Sequence, residues 1–374
     1  MSRTANLRTA GRTPTTPVWS IDLDDAVSTV TAAPRGPMVA AASLSGRTVV
    51  IDADDGVVVT EMPHHELGAL AAAWSPDGRR LAVGGADGTV VIADITIGRR
   101  DAVMGQGWVH ALAWSPDGQY LAAGRGREVL LLRPDGAIVT RWPGQPSTVT
   151  ALTWAGHRLA VACYGGIRWY EPGRNRTEPV RIFDWKGSLL TIAVAPNARW
   201  AASGNQDASI HLWRLWSGED YEMSGYPAKV TAIAFAPDSQ RLAAGGGEEV
   251  TVWNLGGKGP AGQRPASLRA HAGLVVALAY APVPPVRTGS AGRAGRRTAA
   301  PPLLASGGRD GRLAGWRSSG GSRRPHFEVD LGAPVSSVTW TADAALVVAG
   351  TQGGRLSAVR PSDSPPGTGT RRSS

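Results

Sequence analysis

Trp74-Ser75-Pro76-Asp77-Gly78 is followed by Leu81-Ala82-Val83-Gly84 and then by Asp87-Gly88. Forty positions on, the same order returns as Trp114-Ser115-Pro116-Asp117-Gly118, then Leu121-Ala122-Ala123-Gly124. Self-similarity at a fixed period marks an array of like units, each too small to bury its own core. With the residue two before the Pro as anchor, the anchors are Ala32, Trp74, Trp114, Trp154, Val194, Phe235, Tyr280 and Trp340. They are spaced by 42, 40, 40, 40, 41, 45 and 60 residues, and the last gap holds an insertion. Gly156 and Ala342 stand where units four and eight have lost the Pro.

Each unit has one internal order. An alternating apolar run comes first, such as Val149-Thr150-Ala151-Leu152-Thr153-Trp154. A turn rich in Pro, Asp and Gly follows, then a run of small apolar residues, such as Leu242-Ala243-Ala244-Gly245. A second turn leads to a β-branched run ending in an aromatic, such as Val250-Thr251-Val252-Trp253. Short period-2 runs bounded by turn residues predict antiparallel strands joined by hairpins. With one more strand in the connector, each unit holds four strands, and no segment carries a sustained helical period.

On these residues the units resemble WD repeats, the blades of WD40-repeat β-propellers, over residues 18–360. The Trp-Asp pair that names the family is replaced by Trp213-Arg214, Trp253-Asn254, Trp316-Arg317 and Ala93-Asp94. The expected fold class is all-β: a single closed propeller of four-stranded antiparallel blades, eight in number. Seven is the fallback, with the unit at Ala32 as the one miscounted. The stretch 18–27 is similar to 326–335, which precedes the eighth anchor, and the chain ends soon after Leu356-Ser357-Ala358-Val359. The N-terminal strand is therefore expected to supply the fourth strand of the last blade, leaving only short protected edges.

The chain of 374 residues carries a net charge of +9, but the charge is localised. Residues 1–17 hold +3, 283–302 hold +4 and 361–374 hold +1, so the remainder is close to neutral. The first and last segments are expected to be flexible basic tails. The Pro-, Gly- and Arg-rich stretch 283–302 is expected to be a disordered insertion between the first and second strands of unit seven. This distribution weighs against nucleic acid as the partner, although binding of nucleic acid or an acidic partner through the insertion would fall steeply with salt. Only three basic residues are Lys, a composition that resembles that of a GC-rich bacterial genome. The single cysteine, Cys163, excludes an internal disulfide. No apolar N-terminal core reads as a signal peptide and no run of 18 apolar residues reads as a membrane span, so a cytoplasmic location is expected.

No constellation of His, Cys and carboxylates has metal-ligand spacing, and no glycine-rich turn leads into a helix that would cradle a phosphate. No catalytic residue, cofactor site or metal site is expected. The resemblance implies a structural tetrad instead: His271, Ser306, Asp310 and Trp316 in unit seven match it throughout. Unit five keeps Ser203, Asp207 and Trp213 with Trp185 at the His position; unit two keeps His65 and Asp87 with Ala93 at the Trp position. Asp310→Ala is expected to lower stability by leaving buried donors unpaired.

In the family, the connectors and the turns between second and third strands line the narrower face. Trp108, Trp185 and Tyr226 lie in such connectors, and exposed aromatics there are candidate partner-binding anchors. The expected function is a non-catalytic scaffold or sensor: a monomeric propeller within a larger assembly, binding an unidentified protein or peptide. The alternative is an eight-bladed quinoprotein-like enzyme, to which Asp52-Ala53-Asp54-Asp55-Gly56 bears a faint similarity.

Overall fold

The repeated pentapeptide builds a turn that ties itself shut. In the computed structural model, the Ser75 hydroxyl donates to Asp77 at 2.5 Å and accepts the N–H of Arg80, while Asp77 accepts the N–H of Arg79. Ser115 and Asp117 repeat these bonds in unit three, and Thr341 and Asp343 in unit eight. Gly78 sits at φ +74°, a left-handed position that costs glycine little. Ala344 takes up the equivalent position in unit eight at φ +60°.

The described residues are 15–173, 177–257, 259–283, 302–317 and 324–361; they contain strands and turns and no α-helix. Most of both expected tails and of the 283–302 insertion lies outside them. Unit two shows the common plan. Its inner strand Ala69–Trp74 pairs with Arg80–Gly85, which pairs with Val90–Asp94, which pairs with the outer strand Arg100–Val103. All ladders are antiparallel, and a one-residue irregularity near the start of the inner ladder recurs in units one, two, three, five, seven and eight.

The middle strands read as unbroken runs of small apolar residues because both of their faces are covered. Leu81 and Val83 pack towards unit one, and Ala82 packs towards unit three. The core is accordingly divided into eight buried clusters, each between neighbouring units. One of them joins Leu346, Val348 and Leu356 of unit eight to Val39 and Ile51 of unit one. Each fully buried Leu or Val contributes roughly 1.5–3 kcal/mol relative to exposure.

The anchor tryptophans fasten one unit to the next. The indole N–H of Trp74 donates to Thr31 O at 3.0 Å, Trp114 to Ala73 O at 3.1 Å, Trp154 to Ala113 O at 3.0 Å and Trp340 to Ala279 O at 2.9 Å. In every case the acceptor directly precedes the neighbouring unit's anchor. At the seam between units eight and one, Val30 N–H donates to the Ser337 hydroxyl at 3.0 Å.

The expectation of eight separate blades is corrected: the strands form seven hydrogen-bonded sheets, six of four strands and one of six. The unit at Ala32 is a full four-stranded sheet. Units four and five are the ones that share a sheet, through the long strands Arg158–Tyr170 and Arg181–Val194. Residues 158–162 pair with Ala151–Ala155, whereas 164–169 pair with 181–188; residues 189–194 then pair with 201–205. Within the first of the two long strands the chain reverses at Gly165 and Gly166 (φ +87° and +117°), which brings Arg158 Nε to 2.8 Å from Glu171. The two strands meet closely at Gly166 (φ +117°), where a Cβ would lie 2.0 Å from Phe183 O.

The N-terminal strand Trp19–Asp22 pairs with Arg355–Val359 as the outer strand of the last sheet. Trp19 also donates to Ala53 O at 2.7 Å, which ties that strand to unit one.

Candidate functional site

In six units, one main-chain bond holds the connector against the turn between the second and third strands. Leu44, Ala86, Gly126, Gln206, Arg309 and Gln352 donate to Ala26, Gly68, Trp108, Ser188, Leu274 and Pro334, at 2.8–3.0 Å. Unit six makes the reverse bond, Ala228 to Gly246 O at 2.9 Å. In unit four Tyr164 N–H donates to the Ser147 hydroxyl at 2.8 Å instead, so connectors and these turns share one end of every unit and together make one face of the ring.

Beneath that face lies the residue four before Val27, Ala69, Val109, Val149, Leu189, Val230, Val275 and Val335 in units one to eight, and the units fill this place with several chemistries. In unit seven it is His271. Trp316 Nε1 donates to the Ser306 hydroxyl at 2.9 Å, and Ser306 lies 2.8 Å from His271 Nε2. His271 Nδ1 lies 3.2 Å from Asp310, which also accepts Ala272 N–H at 2.8 Å. These partners assign the Nδ1–H tautomer, with the Ser306 proton directed at Nε2. Burial lowers the His271 pKa, against the opposing pull of Asp310, so the ring is neutral at neutral pH. Burial would raise the Asp310 pKa, but the N–H groups of Ala272 and Arg312 and the imidazole outweigh it and hold it low. All four expected tetrad residues are thus joined in one chain.

Unit six builds the same chain from a tyrosine. Trp253 Nε1 donates to the Tyr226 hydroxyl at 2.9 Å, and that hydroxyl lies 2.7 Å from Thr251 Oγ1, which donates to Ala244 O. Tyr226 is half-buried, and burial raises its pKa. Unit two retains a truncated version: His65 Nδ1 lies 3.0 Å from Asp87, but His65 Nε2 has no partner, since Val83 and Ala93 stand where Ser306 and Trp316 do. In unit five, Trp185 is half-buried against His211, their ring centroids 3.7 Å apart. Ser203 there joins Asp207 through Asn205 and Ser209, and Trp213 packs on Phe183.

Two further variants carry no signal at the family's tetrad positions. In unit four, Gln145 donates to the Tyr170 hydroxyl at 2.9 Å and to Trp142 O. In unit three, Arg125 fills the space beside Gly105, bonding Met104 O and Glu128. Complementary polar pairs were needed to find them, not a search for His.

Of the three expected aromatic anchors, Trp108 is largely exposed at 60 %, its ring edge-on to His110. Trp185 and Tyr226 are only half-buried, the first stacked on His211 and the second bonded to Trp253 and Thr251. Sequence reasoning missed the other exposed apolar residues of this face: Leu67 in the connector of unit two, and Leu44 and Tyr164 at one equivalent turn position in units one and four. Leu67 adjoins Gly68, where a Cβ would sit 2.7 Å from Leu44 O, so units one and two touch here.

Among the described residues, no group of three or more His, Cys, Asp or Glu could hold a metal ion, and no helix is long and apolar enough to cross a membrane. Cys163 is buried; its thiol pKa is raised by burial, and Arg168 contacts its Sγ at 3.3 Å.

The WD domain, G-beta repeat family (WD40) matches at residues 56–94, 102–130, 177–214 and 220–254. The chain is a β-propeller, and four of its stretches are WD40 repeats. Over 59 residues the propeller is 36 % identical to eukaryotic translation initiation factor 3 subunit I of Aspergillus fumigatus, covering 16 % of this chain and 17 % of that one. Over 98 residues it is 31 % identical to striatin-4 of Homo sapiens, covering 22 % and 13 %. The matches thus span less than a fifth of the length of these relatives. The computationally designed Ika8 protein has the same fold, with a TM-score of 0.73 at 20 % identity, over 91 % of this chain and 97 % of that one.

Proposed function

We propose that this propeller is a non-catalytic scaffold that binds a protein or peptide partner through its connector-and-turn face. The observation that carries the reading is the arc of exposed apolar side chains on that face: Leu44, Leu67, Trp108 and Tyr164, from four consecutive units. Large apolar side chains gathered on one surface gain by losing water against a partner, and Trp and Tyr do so at low entropic cost. The WD40 repeats support it by fold analogy, and the titratable groups beneath the face are committed to internal hydrogen bonds rather than arranged around a reacting atom.

The test is affinity capture from the native host with wild-type protein and with the Leu67→Ala/Trp108→Ala double variant. Both side chains are exposed, so the variant keeps the wild-type melting temperature. A co-purifying protein should be reduced at least tenfold in the variant. Equal recovery with both proteins would remove this face as the docking surface.

A further inference from the structure

The same face carries a cavity of about 610 Å³ between the connector and turn of unit six and the connector of unit seven. Tyr226, Pro227, Pro265 and Leu274 wall it, and Glu248 and Glu249 also line it. That volume lies within the range of ordinary ligand sites. Its walls are stiff: two are prolines, and Tyr226 is held in place by the Trp253 and Thr251 bonds.

The two carboxylates are in different states. Glu249 is occupied, ion-paired with Arg269 at 2.5 Å and bonded to the Ser267 hydroxyl. Glu248 is exposed and makes no hydrogen bond or ion pair among the described residues. Neither Lys229 nor Arg264, the nearest basic residues along the chain, lines the cavity. An apolar, partly aromatic trough with one unpaired carboxylate is complementary to a cation carried on an aliphatic stem. Arginine fits best: its methylenes cover the proline and leucine walls, its planar fork matches a carboxylate with two N–H donors, and it stacks on aromatic rings.

We propose that this cavity receives an arginine side chain from an extended segment of the bound partner, with Glu248 as its counter-ion. The proposal rests on the scaffold reading above, and it assigns a chemistry to part of the partner. Most of the +9 charge belongs to residues 1–17, 283–302 and 361–374, so the rest of the propeller is close to neutral and does not oppose a basic segment at this site.

The experiment is isothermal titration at low ionic strength with the capped pentapeptide Ac-Gly-Ala-Arg-Ala-Gly-NH2 and its citrulline counterpart. Citrulline keeps the shape and removes the charge. The arginine peptide should bind, with the citrulline peptide roughly tenfold weaker, and Glu248→Gln should weaken the arginine peptide by a similar factor. Absence of binding, equal binding of the two peptides, or an unchanged affinity in Glu248→Gln would overturn the proposal. Glu248→Gln removes no internal contact, so its fold is preserved. The Leu67→Ala/Trp108→Ala protein should bind the peptide like wild type, which separates failure of the cavity from failure of the apolar arc.

Discussion

His271 is buried, neutral and bonded through both ring nitrogens, so each neighbour in its chain is needed to satisfy the next. Asp310→Ala would leave His271 Nδ1–H unpaired in a water-poor place and take from Ala272 N–H its acceptor. We expect a loss of about 1–3 kcal/mol, read as a lowered urea midpoint with an unchanged slope. Wild-type stability would show that the chain is not structural. This network was legible in the sequence because all four of its members keep the family's residue types. The Gln145–Tyr170 and Arg125–Glu128 solutions were not, because there donor and acceptor change together and neither residue alone departs from an ordinary strand. The apolar arc was legible only at Trp108: a Leu in a turn reads the same whether it faces solvent or packs inward.

The inner strands are the elements that couple unit to unit, and the anchor indole is the coupling device. Trp114→Phe keeps most of the buried ring but removes the bond to Ala73 O. The expected cost is about 1 kcal/mol, measured by chemical denaturation. No loss in Trp114→Phe would mean that ring burial alone explains the recurring aromatic. The position of these strands was readable from the period-2 pattern, and so was the self-bonded Ser-Pro-Asp-Gly turn. Where one sheet stops was not. The repeat pattern kept units four and five as separate sets of four strands. Their joining into a single six-stranded sheet depends on Gly166 admitting the Phe183 carbonyl at close range.

At the level of the whole molecule, stability comes from clusters shared between neighbours, so removing one strand exposes a partner rather than an isolated edge. Deleting residues 1–22 would strip the four pairings of Trp19–Asp22 from Arg355–Val359 and the Trp19 bond to Ala53 O. The expected outcome is a loss of about 2 kcal/mol or more and a tendency to aggregate through the bared edge, seen by calorimetry and size-exclusion chromatography. A synthetic peptide of residues 15–26 should restore the monomeric elution position. A truncated protein as stable as the full chain would show that this strand is dispensable.

The same pairing sets a timetable for synthesis. Asp22 and Arg355 bond to each other across 333 positions of chain. At ribosomal speed, translation separates their appearance by on the order of half a minute. Throughout that interval the first strand has left the exit tunnel while its partner does not yet exist. The nascent chain must therefore keep an unpaired strand away from neighbouring polysome products, and the final sheet forms only once residues 355–359 have been made.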